Sequence, residues 1–192
     1  MAAEGYSGLQ GRLVEKLGER GGLALYSFFA CAIVLLPAGI AADVLAQPLI
    51  FPSLGPTAYL FFENPLAPRA SPRNTLVGHL VAVLAGAFSL AVFGLLDHPS
   101  ILTEGVMHAR VGAAVLSVSL TGALLLLIRA SHPPAGATVL IVSLGLLQAP
   151  LEMVDLMVGV VVITVLGYVV NRAAGVPVPI WSAQDRTLPE KG

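Results

Sequence analysis

Ser131-His132-Pro133-Pro134-Ala135-Gly136-Ala137-Thr138 interrupts the chain between two stretches apolar enough to lie in a bilayer. Two adjacent prolines cannot continue a helix arriving from Leu126–Ile128, because each lacks an N–H and crowds the preceding turn. In hydrocarbon an unpaired backbone N–H or C=O costs several kcal/mol. A break at membrane depth must therefore be buried by protein or line a polar path. A second break, Phe51-Pro52-Ser53-Leu54-Gly55-Pro56-Thr57-Ala58, lies in the other half of the chain. Breaks at corresponding places in two halves mark a substrate path through a transporter or channel.

Composition names the solvent. The 192 residues are 56% hydrophobic and only 11% charged, against about 25% charged in a soluble domain. No globular core of this size hides that much apolar surface, so the expected partner is the lipid bilayer. A net charge of −1 excludes the polycation that nucleic acid would need. Cys31 stands alone in an apolar run and reads as a packed thiol.

Four stretches are long enough to cross as helices, at about 23–43, 74–96, 109–128 and 153–171. Two shorter apolar stretches, Pro48–Phe62 and Ala135–Leu147, reach only about 20 Å as helix, short of a hydrocarbon core of about 30 Å. They are re-entrant, or short crossings completed by extended chain. Charge placement weighs these options. With four crossings and the N-terminus inside, seven of the ten Lys/Arg fall inside. With six, nine are inside and only Arg110 is outside, while Asp97, Glu104, Glu152 and Asp155 gather outside. Six passes are favoured, with both termini cytoplasmic in a cell inner membrane.

The expected fold is therefore all-α: four long transmembrane helices plus two short broken or re-entrant ones. An odd number of crossings in each half, about 23–96 and 109–171, makes the halves inverted repeats. Residues 23–172 form one transmembrane domain, between an N-terminal segment (1–22) and a C-terminal tail (173–192). Residues 1–20 carry mixed charge and do not read as a secretory leader. Leu9, Leu13 and Leu17 recur every four residues there, the pattern of an amphipathic surface helix, with a frayed tail as the alternative. Small-residue runs such as Ala85-Gly86-Ala87 and Gly112-Ala113-Ala114 let helices approach closely, within a subunit or between copies in a homo-oligomer.

At the breaks, Gly55 is expected as a helix N-cap with Pro56 at the first helical position, and Ser131 or Pro133 before Pro134 in the same roles. The amides around Thr57–Tyr59 and Ala135–Ala137 would then be free donors at a partially positive helix end, able to take an anion without a buried lysine. Ala58, Ala135, Gly136 and Ala137 keep bulk away. Ser53, Thr57, Ser131 and Thr138 offer hydroxyls. Two such ends, aimed inward from opposite sides, would hold a small monovalent anion weakly enough to release it.

His132 is an ionisable group beside a break and a functional candidate by default. It either carries charge for an anion or a co-transported proton, or fixes the Pro-Pro turn. His79, near Asn74, belongs at the same inner face, as an interhelical hydrogen bond or a pathway residue. Arg73 and Arg129 would draw anions to the inner mouth. His98 and His108 sit with Asp97 and Glu104 in a loop whose spacing matches no compact metal site. No nucleophile elbow, zinc-protease helix or phosphate loop is present, so neither an enzyme nor a cofactor is expected.

The residues Phe51–Ala58, Pro72-Arg73-Asn74, Gly78-His79 and Ser131–Thr138 resemble the HPP family of small integral membrane proteins, named for the tripeptide seen here as His132-Pro133-Pro134. The resemblance spans residues 23–171. It implies nitrite transport, an activity associated with members in cyanobacteria and chloroplast membranes, and four spans rather than six. The expectation is transport of a small monovalent anion, nitrite favoured. The alternatives are a membrane sensor or scaffold that binds an anion or partner without flux, and an intramembrane enzyme using His132.

Overall fold

The structure, a computed structural model, describes residues 6–45, 50–147 and 149–182. Among these residues every regular element is helical. In chain order they are α1 (Gly8–Leu45), α2 (Leu54–Glu63), a 3-10 turn (Pro68–Ala70), α3 (Pro72–Val92), α4 (Ile101–Glu104), α5 (His108–Leu127), α6 (Ala135–Ser143) and α7 (Pro150–Ala173). Four of them, α1, α3, α5 and α7, are long and apolar enough to cross a membrane. Residues 183–192 of the expected C-terminal tail, and 48–49 at the start of the first short segment, lie outside the described residues.

Helix α3 is the hub. It packs on α5, α6 and α7, while α2 lies between α1 and α7. Close approach depends on small residues: a Cβ at Gly86 would meet Val142 Cβ of α6 at 2.7 Å. A Cβ at Gly112 would likewise run into the Phe93 ring. Large apolar side chains point the other way. Phe29, Ile33, Leu36 and Ile40 on α1, Leu80, Leu84 and Phe88 on α3, and Val158, Val165 and Val169 on α7 are exposed. Spacings of three, four and seven residues put each set on one helix face, the stripe a lipid-facing helix presents. The polar side chains Thr57, His79, Ser89, Ser117, Thr164 and Asn171 are buried instead.

Helix ends set the boundaries. Helices α3, α5, α6 and α7 finish alike, the amide two residues past the cap reaching back five residues: Leu95 to Leu90, Ala130 to Leu125, Leu146 to Ile141 and Val176 to Asn171. This closure needs one left-handed residue. Gly94 supplies it for α3 (φ 67°), so that helix stops at Val92 and not near residue 96 as hydropathy suggests. In α5 the position falls to Arg129 (φ 53°).

Helix α1 begins at Gly8, and the Leu9–Leu17 stretch is helical as its spacing implies. It joins the membrane helix through a non-helical bend at Gly18 (φ 75°, ψ 165°). Leu9 and Leu17 are exposed, while Gln10 and Val14 are buried.

Helix α2, only 10 residues long, ends inside the protein, where unpaired carbonyls would be costly. Side chains close it: Asn171 Nδ2 donates to the Phe61 carbonyl (3.0 Å), and Gln10 Nε2 to that of Phe62 (3.3 Å). Tyr26 donates its hydroxyl to Asn171 Oδ1 at 2.8 Å, fixing that amide's orientation.

Candidate functional site

The two breaks meet at His79. In α2 the fourth residue is Thr57, and in α6 it is Thr138. Thr57 Oγ1 lies 3.0 Å from His79 Nε2, and Thr138 Oγ1 lies 2.7 Å from His79 Nδ1. His132, just before α6, brings its Nε2 to 3.2 Å from His79 Nε2 and 3.4 Å from Thr57 Oγ1. The two rings meet edge-on, with centroids 4.9 Å apart. Thr57, His79 and Thr138 are fully buried and His132 is 1% exposed. Gly78 makes the approach possible, since a Cβ there would sit 2.7 Å from His132 Cβ.

Hydrogen-bond partners assign the protons. His132 Nδ1 is 2.8 Å from the Arg69 carbonyl, which can only accept, so that nitrogen carries N–H. Thr57 gives its hydroxyl proton to the Ser53 carbonyl at 2.8 Å. The 3.2 Å gap between the two Nε2 atoms then holds one proton, donated by His79 toward His132 and Thr57. His79 Nδ1 either accepts from Thr138 or, if protonated, donates to it, because the hydroxyl can rotate. The pair thus holds zero or one positive charge in unchanged ring positions. A second charge would set two N–H groups against each other, and the rings would have to part.

Asn74 and Arg73, grouped with His132 from sequence, tie α3 to the chain that leads into it. Asn74 Nδ2 donates to the Ser131 carbonyl (3.2 Å). Arg73 donates from Nη1 to the Arg129 carbonyl (2.9 Å) and from Nη2 to that of Ile128 (3.1 Å). Arg73 therefore clamps the C-terminal carbonyls of α5, where cations are favoured. Arg129 is exposed.

Three further expectations are corrected. The amides of Ala135, Gly136 and Ala137 are not free: they donate to the carbonyls of His132, Pro133 and Pro134 at 2.9–3.0 Å. The Pro-Pro turn folds tightly enough to satisfy them locally, so side chains rather than amides make the polar site at this break. Helix α2 begins at Leu54 with Ser53 as its cap, ahead of the Gly55-Pro56 start, because the Leu54 amide already bonds the Phe51 carbonyl. Ser131 and Pro133 are exposed, and Gly55, Gly136 and Ala137 half-buried, outside the cluster. Ser53, Ala58, Pro134 and Ala135 are buried, and among the described residues the Ser53 hydroxyl has no partner.

Sequence reading passed over Arg110, Gln10 and Asn171. Arg110 carried a signal, an arginine in the first turn of an apolar span. The two amides carried none beyond being polar.

Four membrane-length helices around a buried histidine–threonine cluster define a multi-spanning integral membrane protein. More narrowly, the chain belongs to the HPP family, its residues 20–179 matching the family described as HPP, transmembrane region. Two proteins of Dictyostelium discoideum, named only as transmembrane proteins, are similar to it. One is 31% identical over 111 residues, covering 56% of this chain and 34% of the relative. The other is 32% identical over 89 residues, covering 46% of this chain and 25% of the relative. The chain thus spans about a third or less of these relatives' length. No solved structure matches it.

Proposed function

We propose that this protein transports a small monovalent anion across the membrane, along a path that passes the cluster of Thr57, His79, Thr138 and His132. The observation that carries the reading is the convergence of both breaks on one histidine in the interior of a membrane domain. The Thr138 hydroxyl, free to rotate, offers an anion a hydrogen bond weak enough for release, and the histidine pair supplies at most one positive charge, matched to a monovalent ion. Thr138 can reorient as a proton arrives, so a proton can accompany the anion. Nitrite is favoured through the family resemblance.

The cluster is almost inaccessible to water, so flux requires α2 or α6 to part from α3. Helices α2 and α6 are 10 and 9 residues long, about 15 Å as helix. With the chain on either side of them they complete six passes in two inverted halves, with both termini on the cytoplasmic side of an inner membrane. Close-packing glycines leave the outer faces free for assembly into a homo-oligomer. No chemical turnover is assigned to His132, since its neighbours offer hydrogen bonds and no activated nucleophile.

Stopped-flow flux from proteoliposomes, comparing nitrite, nitrate, formate and chloride, tests the proposal. The expected result is nitrite flux in wild type and its loss in Thr57→Val and His132→Ala. Well-folded wild type that passes none of these anions at several pH values would overturn it and favour the sensor.

A further inference from the structure

Arg110, in the first turn of α5, is 1% exposed, and among the described residues its guanidinium has no carboxylate partner. Arginine stays charged inside proteins, and burial of an unpaired ion carries a heavy desolvation penalty. The compensation seen is partial. Nη2 donates to the Pro99 carbonyl at 2.7 Å. Nη1 reaches the Ser143 carbonyl at 3.5 Å, at the C-terminal end of α6, where aligned peptides leave partial negative charge. Nε has no partner. Nor does the hydroxyl of Ser143, a fully buried residue that already meets the guanidinium through its carbonyl.

The surrounding loop is shaped to the guanidinium. Gly145 adopts φ 73° and closes α6, and a Cβ there would lie 2.9 Å from Arg110 Nη1. Pro99, on the other side, is exposed, so the guanidinium lies one carbonyl below the surface. A permanent positive charge, a free N–H and a free hydroxyl repel a cation and gain nothing from an apolar ligand. They suit a small anion with two acceptor atoms, one for the Nε–H and one for the Ser143 hydroxyl.

We infer that Arg110 Nε and Ser143 Oγ form a second anion site, for a small planar oxyanion, at the end of α6 away from the histidine cluster. Five residues separate Thr138 from Ser143, about 7.5 Å of helix rise. Helix α6 therefore bridges two polar stations across a buried apolar stretch that includes Val139 and Val142. The inference rests on the anion-transport reading above and supplies its entry or exit point.

The test is calorimetric titration of sodium nitrite and sodium chloride into the purified full chain in detergent, beside nitrite flux from the same preparations. Ser143→Ala leaves the arginine and its carbonyl contacts in place and should fold normally. It should weaken nitrite binding about tenfold, as expected for one hydrogen bond to a charged ligand, and change chloride binding much less. Arg110→Lys, which keeps the charge but loses the Nε donor, should do the same. If Arg110→Lys does not fold, Ser143→Ala decides. Wild-type flux with nitrite binding unaltered in Ser143→Ala would overturn the site and leave transport standing. Binding lost in Ser143→Ala with no wild-type flux would support the site and overturn transport. No nitrite binding by wild type would overturn the site.

Discussion

Replacing Gly78 with alanine places a carbon 2.7 Å from His132 Cβ, and 3.3 and 3.4 Å from the ring's Cγ and Cδ2. Ordinary contact begins at 3.4 Å, so His132 must withdraw by about 0.7 Å, the difference between 3.4 and 2.7 Å. It has little freedom to do so, because Pro133 follows it and Nδ1 is tied to the Arg69 carbonyl. Withdrawal takes its Nε2 contacts, 3.2 Å to His79 and 3.4 Å to Thr57, beyond hydrogen-bond range. Overpacking costs about 1–3 kcal/mol, and a lost hydrogen bond costs about 1 kcal/mol more. Against this, alanine in mid-helix gains about 1 kcal/mol over glycine. The loss wins, with a net destabilisation of about 1–3 kcal/mol. Gly122→Ala is the control: nothing lies within 4 Å of its Cβ, so only the propensity gain of up to about 1 kcal/mol remains. Unfolding by SDS titration, followed by circular dichroism, reads both. If Gly78→Ala were as stabilising as Gly122→Ala, His132 would not be packed on α3 as described.

Other consequences follow from the same contacts. Asn171→Leu leaves the Phe61 carbonyl and the Tyr26 hydroxyl unpaired in the interior and should cost about 2–4 kcal/mol. Tyr26→Phe should cost only about 1 kcal/mol, and SDS titration checks the order. Arg129→Gly relieves a left-handed arginine and should stabilise by about 1 kcal/mol. If the exposed charge draws anions to the inner mouth, flux at low salt falls in this variant while stability rises. With labelled histidine, solid-state 15N spectra at neutral pH should show His132 protonated on Nδ1 and His79 on Nε2. A His132 lacking the Nδ1 proton would refute the hydrogen-bond assignment.

Much of the architecture was legible because bilayer physics is severe. Spans read at 109–128 and 153–171 match α5 and α7 to within three residues, since hydrophobicity alone decides them. The end of α3 was misread because Leu95 and Leu96 extend the apolar run past Gly94, where the chain reverses. The breaks at Thr57 and Thr138 were visible as prolines and hydroxyls. Their junction through His79 was not, because it depends on how α3 packs between helices distant in sequence. The free-amide picture failed for a local reason: a Pro-Pro turn closes its own hydrogen bonds. Arg110 read as a lone outer charge, whereas Pro99, Ser143 and Gly145 enclose it.

The central claim is that anions pass the Thr57–His79–Thr138–His132 cluster. The most direct measurement is cysteine accessibility at position 138. Thr138→Cys is made in a Cys31→Ala background, reconstituted in vesicles and exposed to a small negatively charged thiol reagent. Passage by this route gives modification that nitrite slows and gluconate, too large for the site, does not. A protein that still conducts nitrite while Thr138→Cys stays unmodified, with or without nitrite, would place the path elsewhere.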